Sequence, residues 1–255
     1  MNLIRRLGLY VHLWYQRAYS LWKVRESHIH FREPLSYNER TFFLAFQAAL
    51  VGHNIVVYDI GAGTGVFTSC VAKLANVQIV HAFEPLASSF EKLKIRTARF
   101  HYVFCHNVAL GDTNGLADIW VIEGCHDASS LLKMRELHKA ERPGICYADH
   151  PERVIVVRLD DYVREKNLPL PDVVKIDVQG YEDRVLRGGE DTIRHAQFCI
   201  IEISFEPLYE GSPVFDDIYR QMRELGFRLV GLGGELYGKS GRQLQVDGIF
   251  KNEGG

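Results

Sequence analysis

The sequence lacks a long apolar run, a pair of closely spaced cysteines and a marked excess of either charge. No hydrophobic run approaches the roughly 20 residues that cross a bilayer, and no early apolar run is followed by a small-residue cleavage site. Five cysteines, an odd number without a C-x-x-C pair, are typical of reduced thiols. The net charge of −2 gives no reason to expect a nucleic-acid partner. These absences predict a cytoplasmic protein.

What the chain does have is enough apolar residues for a substantial core. Hydrophobic residues make up 47% of the 255 positions, which fits one generous domain or one domain with an appendage. The predicted strands are 55–60, 77–83, 101–106, 116–122, 153–159, 172–177, 198–203, 227–232 and 245–250. The predicted helices are 66–75, 86–98, 181–195, 215–225 and a short one capped by Asp160 and running to about Lys166. This alternation predicts a Rossmann-like α/β fold, a mostly parallel sheet between two helical layers.

The stretch from Val56 to Gly65 is the best candidate for a cofactor-binding turn. A β-branched run leads to Asp59, then to glycines at 61, 63 and 65, and then to a helical pattern from Val66. Strand, glycine turn and helix in this order form the first turn of a doubly wound domain, where a helix N-terminus faces the ligand. A dinucleotide fingerprint would place its third glycine at Val66, so the spacing argues against a dinucleotide.

Two acids at strand ends indicate which ligand is bound. Asp59 is placed to bind an ammonium group, which a nucleotide pyrophosphate lacks, and Glu84 stands where a ribose-binding acid is expected. An amino acid joined to a nucleoside matches both, so S-adenosylmethionine is the predicted cofactor; the other interpretation is a turn that merely packs strand on helix. Asn107, Val108 and Ala109 are expected to line the adenine pocket. The predicted cofactor-binding residues are Asp59, Gly61, Ala62, Gly63, Gly65, Glu84, Pro85, Asn107, Val108, Ala109 and Asp177.

Three further acids are candidates for catalysis or for binding the substrate that accepts the transferred group. Asp177 ends the strand beside the glycine turn and is the first candidate for the group that takes or shares a hydroxyl proton. Its alternative role is structural, either capping the next helix or holding Lys175. Glu202 ends the neighbouring strand and is expected to act in catalysis or substrate binding, or else to cap a loop. Glu182 either binds substrate or interacts with a helix dipole.

The polar segment 123–152 is too long for an ordinary connection. It is predicted to be a lid or substrate insertion that covers the acceptor site and orders on substrate binding. His126 is a candidate base there, and Ser129 and Ser130 are candidate substrate ligands or simple turn formers.

Metal binding is a weaker interpretation of the same residues. His126 with His138 and His150 matches no ligand spacing, so no metal ligand is assigned. The alternative is Mg²⁺ held by Asp177 and Glu202 together with the substrate.

Residues 1–25 contain no acid and five arginines and lysines, with an apolar helical stripe that includes Trp14 and Trp22. Such a helix is typical of peripheral contact with an anionic membrane surface. The alternative is a helix that packs on its own domain or on a second subunit of a homo-oligomer.

Six short blocks occur in a characteristic order. They are Asp59-Ile-Gly-Ala-Gly-Thr-Gly, Phe83-Glu84-Pro85, Ala109-Leu110-Gly111-Asp112, Ser129-Ser130-Leu131, Leu159-Asp160-Asp161 and Lys175-Ile-Asp-Val-Gln-Gly-Tyr-Glu182. Together they resemble the FkbM family of S-adenosylmethionine-dependent methyltransferases from about Ile55 onward. The resemblance implies a class I methyltransferase fold with a seven-stranded sheet and methylation of a hydroxyl on a sugar, glycolipid or other small molecule. Residues 1–50 lie outside it, so a helical extension (1–50) and a methyltransferase domain (51–255) are expected.

The chain departs from the family pattern at two positions. Gly63 stands where Asn is common, and it still permits the turn. Gln179 stands where Glu is common and removes a charge near the site. Two other functions stay open at this stage, a dinucleotide-dependent enzyme on a similar fold and a non-catalytic binding protein, because fold alone never determines function.

Overall fold

A computed structural model describes residues 54–123, 128–143, 146–147 and 151–254. Seven strands form the main sheet: β1 (Ile55–Ile60), β2 (Val77–Phe83), β3 (Val103–His106), β9 (Val173–Ile176), β10 (Phe198–Ser204), β11 (Phe227–Tyr237) and β12 (Gln243–Asn252). Their order across the sheet is β11-β12-β10-β9-β1-β2-β3. All neighbours pair in parallel except β12, which is antiparallel to both β10 and β11. The predicted seven-stranded, mostly parallel sheet is therefore confirmed.

The central strands are apolar on both faces because helices cover both. All six residues of β1 and all four of β9 are buried, the usual pattern for a parallel sheet between two layers. One layer contains α1 (Val66–Val71) and α2 (Ala87–Thr97). The other contains α4 (Leu159–Lys166), α5 (Glu182–Gly188), α6 (Glu190–His195) and α7 (Phe215–Glu224). Apolar side chains of both layers pack against the sheet in two large clusters.

A second, three-stranded sheet follows β3 and closes one side of the site. It pairs β4 (Ala109–Gly111), β8 (Glu152–Arg158) and β5 (Gly115–Ile119) in the order β4-β8-β5. The strand predicted over 116–122 thus ends at Ile119. Beyond it, β6 (Ile122–Glu123) pairs with β7 (Cys146–Tyr147), and α3 (Glu136–Glu141) lies between them in sequence.

The helix predicted over 181–195 is wrong as a single element, because the structure divides it at Gly189. A Cβ on Gly188 would lie 1.8 Å from the carbonyl oxygen of Gly111, so the chain needs glycine where α5 meets β4. The prediction that Asp160 caps its own helix is also wrong. Asp160 lies inside α4, and its carboxylate accepts the N–H groups of Asp191 (3.2 Å) and Thr192 (2.9 Å) at the start of α6.

No helix in the part of the chain that the structure describes is long and apolar enough to cross a membrane. The predicted helical extension 1–50, its boundary with the main domain and the membrane contact of residues 1–25 all lie outside the described residues. They stay predictions.

Candidate active site

A cavity of about 330 Å³ opens at the carboxyl ends of β1, β2 and β9. This volume lies at the lower end of the range for small-ligand pockets, about 300–1,000 Å³. Its walls include most of the predicted site residues: Asp59, Gly61, Ala62, Gly63, Glu84, Pro85, Val108, Ala109, Ser129, Ser130 and Asp177. Four others are not part of the wall: Gly65, Asn107, Glu182 and Glu202. The candidate base His126 lies outside the described residues.

The glycine turn passes across the end of β2. The N–H groups of Gly61 and Ala62 both donate to the carbonyl oxygen of Phe83, at 3.0 and 2.9 Å. Gly61 has φ of 79°, and a Cβ there would lie 1.8 Å from the carbonyl oxygen of Asp177. Only glycine fits this position, because the turn and the end of β9 approach each other so closely. Gly65, at φ of 82°, is the residue from which α1 begins.

Asp59 offers an unsatisfied acceptor at the floor of the cavity. The side chain is fully buried, and its Oδ2 accepts a hydrogen bond from the hydroxyl of Thr68. Its Oδ1 has no hydrogen-bond partner among the described residues. Burial raises the pKa of Asp59, while the nearby Lys175 ammonium lowers it. A buried carboxylate oxygen without a donor is costly, so this atom fits the ammonium group predicted to bind there.

Glu84 is held by backbone donors on both oxygens. Its Oε2 accepts the N–H of Gly63 at 2.8 Å, and its Oε1 accepts the N–H of Leu86 at 2.9 Å. A carboxylate oxygen can accept more than one hydrogen bond, so these backbone bonds do not prevent Glu84 from accepting a ribose hydroxyl. The glycine turn and the end of β2 are thereby joined by the same side chain that is predicted to bind the ribose.

Asn107 has a different position from the one predicted. Its side chain is exposed, and its amide donates to the carbonyl oxygens of Glu84 and Pro85, each at 2.9 Å. It holds the loop after β2 from outside and is not part of the cavity wall. The apolar wall comes from other residues: Leu86, Val108, Ala109, Ile119 and Leu131.

Lys175 and Asp177 form an ion pair on the cavity wall. Lys175 Nζ lies 2.9 Å from Asp177 Oδ2, and the two side chains are 6% and 30% exposed. Burial by itself lowers the pKa of Lys175, but the carboxylates of Asp177, Asp59 and Asp247 raise it above the ordinary value of a lysine. Lys175 therefore stays a cation. Asp177 holds Lys175, which was the structural alternative, and it also lines the cavity; its role toward a hydroxyl proton stays a prediction.

Glu202 lies behind the wall, beyond Gln179. Its Oε2 accepts hydrogen bonds from the side-chain amides of Gln179 (2.7 Å) and Gln245 (2.6 Å). Burial raises its pKa well above the ordinary range, and the carboxylates of Asp177 and Glu182 add to the effect. The structure therefore does not bring Glu202 to the cavity, where a base or a substrate ligand is needed.

Glu182 likewise binds its own loop rather than the cavity. Its Oε1 accepts the N–H groups of Val178 (3.2 Å) and Gly180 (3.0 Å). Burial raises its pKa to about 7, although these N–H groups oppose the shift. The side chain fixes the turn between β9 and α5, so that Asp177 and Gln179 are presented to the site.

The described part of the predicted lid contributes to the wall through its first residues. Ser129 Oγ accepts the N–H of Ile122 at 3.0 Å, and Ser130 Oγ donates to the carbonyl oxygen of Gln179 at 2.6 Å. Both hydroxyls are thus engaged within the protein. The segment is anchored further along, where Met134 pairs with Tyr209 and where Glu141 accepts the N–H of Ser240 at 2.9 Å.

Neither metal alternative gains support from the structure. Among the described residues, no three His, Cys, Asp or Glu side chains are arranged to hold an ion. The Gln179 amide nitrogen lies between the two carboxylates of the magnesium alternative, 2.9 Å from Asp177 Oδ1 and 2.7 Å from Glu202 Oε2. His138 is buried and not part of the cavity wall, while His126 and His150 are outside the described residues.

Several wall residues were not assigned to the cavity by the sequence analysis: Ile119, Leu131, Lys175, Gln179 and Tyr181. Lys175 carried the clearest signal. A lysine at an alternate position of a buried-type strand shares a face with the residue two further on, which is Asp177. Ile119 and Leu131 depend on how the small sheet packs beside β3, and no local pattern specifies that.

Comparison with known proteins places these features in a family context. Residues 59–229 match the model of a family described as Methyltransferase FkbM domain. The chain is 29% identical over 161 residues to the 2-O-methyltransferase NoeI of Sinorhizobium fredii, covering 61% of this chain and 66% of that protein. It is 28% identical over 149 residues to the hexuronic acid methyltransferase AglP of Haloferax volcanii, covering 58% and 55%. The matches thus span less than two thirds of each relative's own length.

A solved structure shares the fold. The crystal structure of methyltransferase FkbM from Methylobacillus flagellatus superposes with a TM-score of 0.52 at 16% identity, covering 86% of this chain and 48% of that one.

Proposed function

Because the chain belongs to the FkbM family of methyltransferases, we propose that it transfers a methyl group to a hydroxyl oxygen of a sugar, glycolipid or other small molecule. S-adenosylmethionine is the cofactor of this family. The names of two relatives, a 2-O-methyltransferase and a hexuronic acid methyltransferase, support an oxygen acceptor and a carbohydrate substrate.

The residues present fit this cofactor. The unpartnered Oδ1 of Asp59 would accept the amino group, Glu84 would accept the ribose hydroxyls, and the turn around Gly61 would let the ligand approach the backbone. When bound, S-adenosylmethionine supplies an activated methyl group and its own leaving group for an in-line displacement. The protein is left with three tasks, which are to orient the acceptor oxygen, to exclude water and to accept the hydroxyl proton.

The observation that carries the proposal is the placement of Asp177 on the cavity wall, on the strand next to Asp59. Its carboxylate would accept a hydrogen bond from the acceptor hydroxyl, which would orient the acceptor oxygen. The same carboxylate would take the proton that the hydroxyl releases during the transfer. Lys175 and Gln179 fix the position of the carboxylate, at 2.9 Å each.

The test is transfer of a labelled methyl group to a panel of acceptors. Hexuronic acids and other sugars with free hydroxyls are incubated with methyl-labelled S-adenosylmethionine, and each is paired with its fully O-methylated analogue as a control. The expected result is label on an oxygen of the free sugars and none on the blocked ones. Label on nitrogen or carbon, or tight binding of a dinucleotide in place of S-adenosylhomocysteine, would refute the proposal.

A further inference from the structure

Gln179 is a junction between two parts of the site. The residue is 9% exposed, and both polar atoms of its side chain are hydrogen-bonded. The amide Nε2 donates to Asp177 Oδ1 at 2.9 Å and to Glu202 Oε2 at 2.7 Å. The amide Oε1 accepts from the hydroxyl of Tyr209 at 2.9 Å, and the main-chain carbonyl accepts from Ser130 Oγ at 2.6 Å.

The orientation of this amide is fixed by its partners. The two hydrogens of Nε2 match two carboxyl groups, and a flipped amide would turn its oxygen toward both acids instead. The Tyr209 hydroxyl lies 2.9 Å from both Gln179 Oε1 and the carbonyl oxygen of Ala128, so its single proton is shared between these two acceptors. Tyr209 therefore joins the amide of Gln179 to the start of the covering segment, which we define as residues 128–134.

The backbone conformation of Gln179 also depends on contacts with the covering segment. Gln179 has φ of 56°, in the left-handed region that non-glycine residues seldom adopt. The bonds from Ser130 and Tyr209 hold it there from the side of the covering segment. Glu182 holds the following turn through the N–H groups of Val178 and Gly180. A shift of the covering segment would therefore also move the Gln179 amide.

The Gln179 amide is surrounded by acids, so a neutral side chain is favoured at this position. Asp177 and Glu202 are in direct contact with it, Glu182 and Asp247 both raise the pKa of Glu202, and Lys175 is the nearby cation. Tyr209 is the facing hydroxyl on the other side. A carboxylate at position 179 would place another anion against two acids and remove both donors.

We propose that Gln179 is a positioning residue that couples the covering segment 128–134 to the carboxylate of Asp177. Closure of the segment over the cavity fixes the amide, and the amide fixes the acid. The proposal rests on the proposed function only in placing Asp177 at the acceptor oxygen. The coupling itself is measured without any acceptor.

The experiment compares Gln179→Glu and Gln179→Asn with the native protein by hydrogen–deuterium exchange, with and without S-adenosylhomocysteine. Asparagine tolerates the left-handed backbone but is too short to bridge the same groups. In the native protein, ligand binding should slow exchange in residues 128–134. In Gln179→Asn this protection should fall by about 10-fold, the effect of losing roughly one hydrogen bond to a charged group.

The pH dependence of this protection distinguishes a positioning role of the amide from an effect of side-chain size alone. Gln179→Glu should lose the protection at neutral pH and regain part of it as the pH falls, because the protonated carboxyl again donates one hydrogen bond. Gln179→Asn should show no such recovery. A defect of Gln179→Glu that is the same at every pH, or native protection in both variants, would overturn the proposal.

Gln245→Asn is the matched control. Gln245 is buried and donates to the same oxygen of Glu202, yet it has no hydrogen bond to Asp177 or to the covering segment. It should leave protection of 128–134 intact, and an equal loss in Gln245→Asn would also overturn the proposal. If either Gln179 variant fails to fold, Ser130→Ala tests the junction from the other end, with the same loss of protection expected. None of these outcomes depends on whether a hydroxyl is methylated.

Discussion

The ammonium of Lys175 and the carboxylate of Asp177 are two residues apart in β9 and its end, and they meet at 2.9 Å on the wall of the cavity. The pair links stability to chemistry, because the buried lysine needs a nearby anion and the proposed reaction uses the same anion.

Replacing Asp177 with asparagine should therefore have two separable effects. Turnover on a true acceptor should fall about 10²-fold or more, on the scale of lost acid–base catalysis. The free energy of unfolding should fall by on the order of 2 kcal/mol, because Lys175 loses its closest partner while Asp59 and Asp247 remain. Turnover assays and thermal melts measure the two effects.

The double variant with Lys175→Met is the control for this prediction. Removing the cation should restore much of the melting temperature and none of the turnover. Normal turnover in Asp177→Asn would show that Asp177 serves only as the ion-pair partner of Lys175.

Glu84→Ala should weaken binding of S-adenosylhomocysteine by at least about 10-fold, the cost of one charge-assisted hydrogen bond. The variant also removes the acceptor for the N–H groups of Gly63 and Leu86, so the turn itself is loosened. Asn107→Ala is the comparison, since Asn107 supports the same loop from outside the cavity. Calorimetry should show the smaller loss for Asn107→Ala, and equal affinity of Glu84→Ala and the native protein would exclude Glu84 as the ribose ligand.

His81 should make the fold sensitive to acid. Burial lowers its pKa to about 4, with a smaller effect from His106, whose Nε2 lies 2.9 Å from His81 Nδ1. An unfolded histidine titrates near 6.5, so between about pH 4 and 6.5 the unfolded chain binds more protons. The stability is then fully present above pH 6.5 and is lost as the pH falls toward 4, by up to about 1.4 kcal/mol per pH unit.

Urea unfolding at several pH values measures this slope. His81→Asn keeps a polar atom near Nδ1 but does not titrate, so it should flatten the slope in that window. The exposed His101, replaced in the same way, should leave it unchanged. A slope that is the same in all three proteins would mean that other groups cause the acid sensitivity.

Glu182 should affect the pH dependence of stability in the opposite direction from His81. Its pKa is raised from 4.5 to about 7, mainly by burial, so the folded state binds more protons between these values. Its contribution is present below pH 4.5 and is lost as the pH rises through 7. Glu182→Gln imitates the neutral acid and should be more stable than the native protein above pH 7, with little difference at low pH. Equal stability of Glu182→Gln and the native protein above pH 7 would contradict this prediction.

The parts that the sequence predicted correctly are those that local patterns specify. Asp59 is the last residue but one of β1 and Glu84 directly follows β2, so parallel pairing brings both acids to one edge without further information. The glycine at position 61 is likewise demanded by its own turn.

The parts that the sequence missed depend on residues far apart in the chain. Asp160 looked like a cap for its own helix, yet it serves α6, whose N–H groups approach it only in the folded protein. Glu202 lies near the end of β10, which continues to Ser204, and it contacts the side chain of Gln179 instead of lining the cavity. Asn107 follows β3 as expected, and yet it binds backbone carbonyls instead of facing inward. In each case the strand or helix was predictable and the partner of the side chain was not.

The order of strands in the main sheet has a consequence for synthesis on the ribosome. β1 pairs with β2 on one side and with β9 on the other. Along the sequence, however, the small sheet and the covering segment lie between β1 and β9. A nascent chain therefore exposes one hydrogen-bonding edge of β1 until the ribosome has released Val173–Ile176. Because Asp59 and Asp177 stand on these two strands, the site is completed in the same step that covers the edge. Premature termination before β9 should thus yield fragments that aggregate and never bind cofactor.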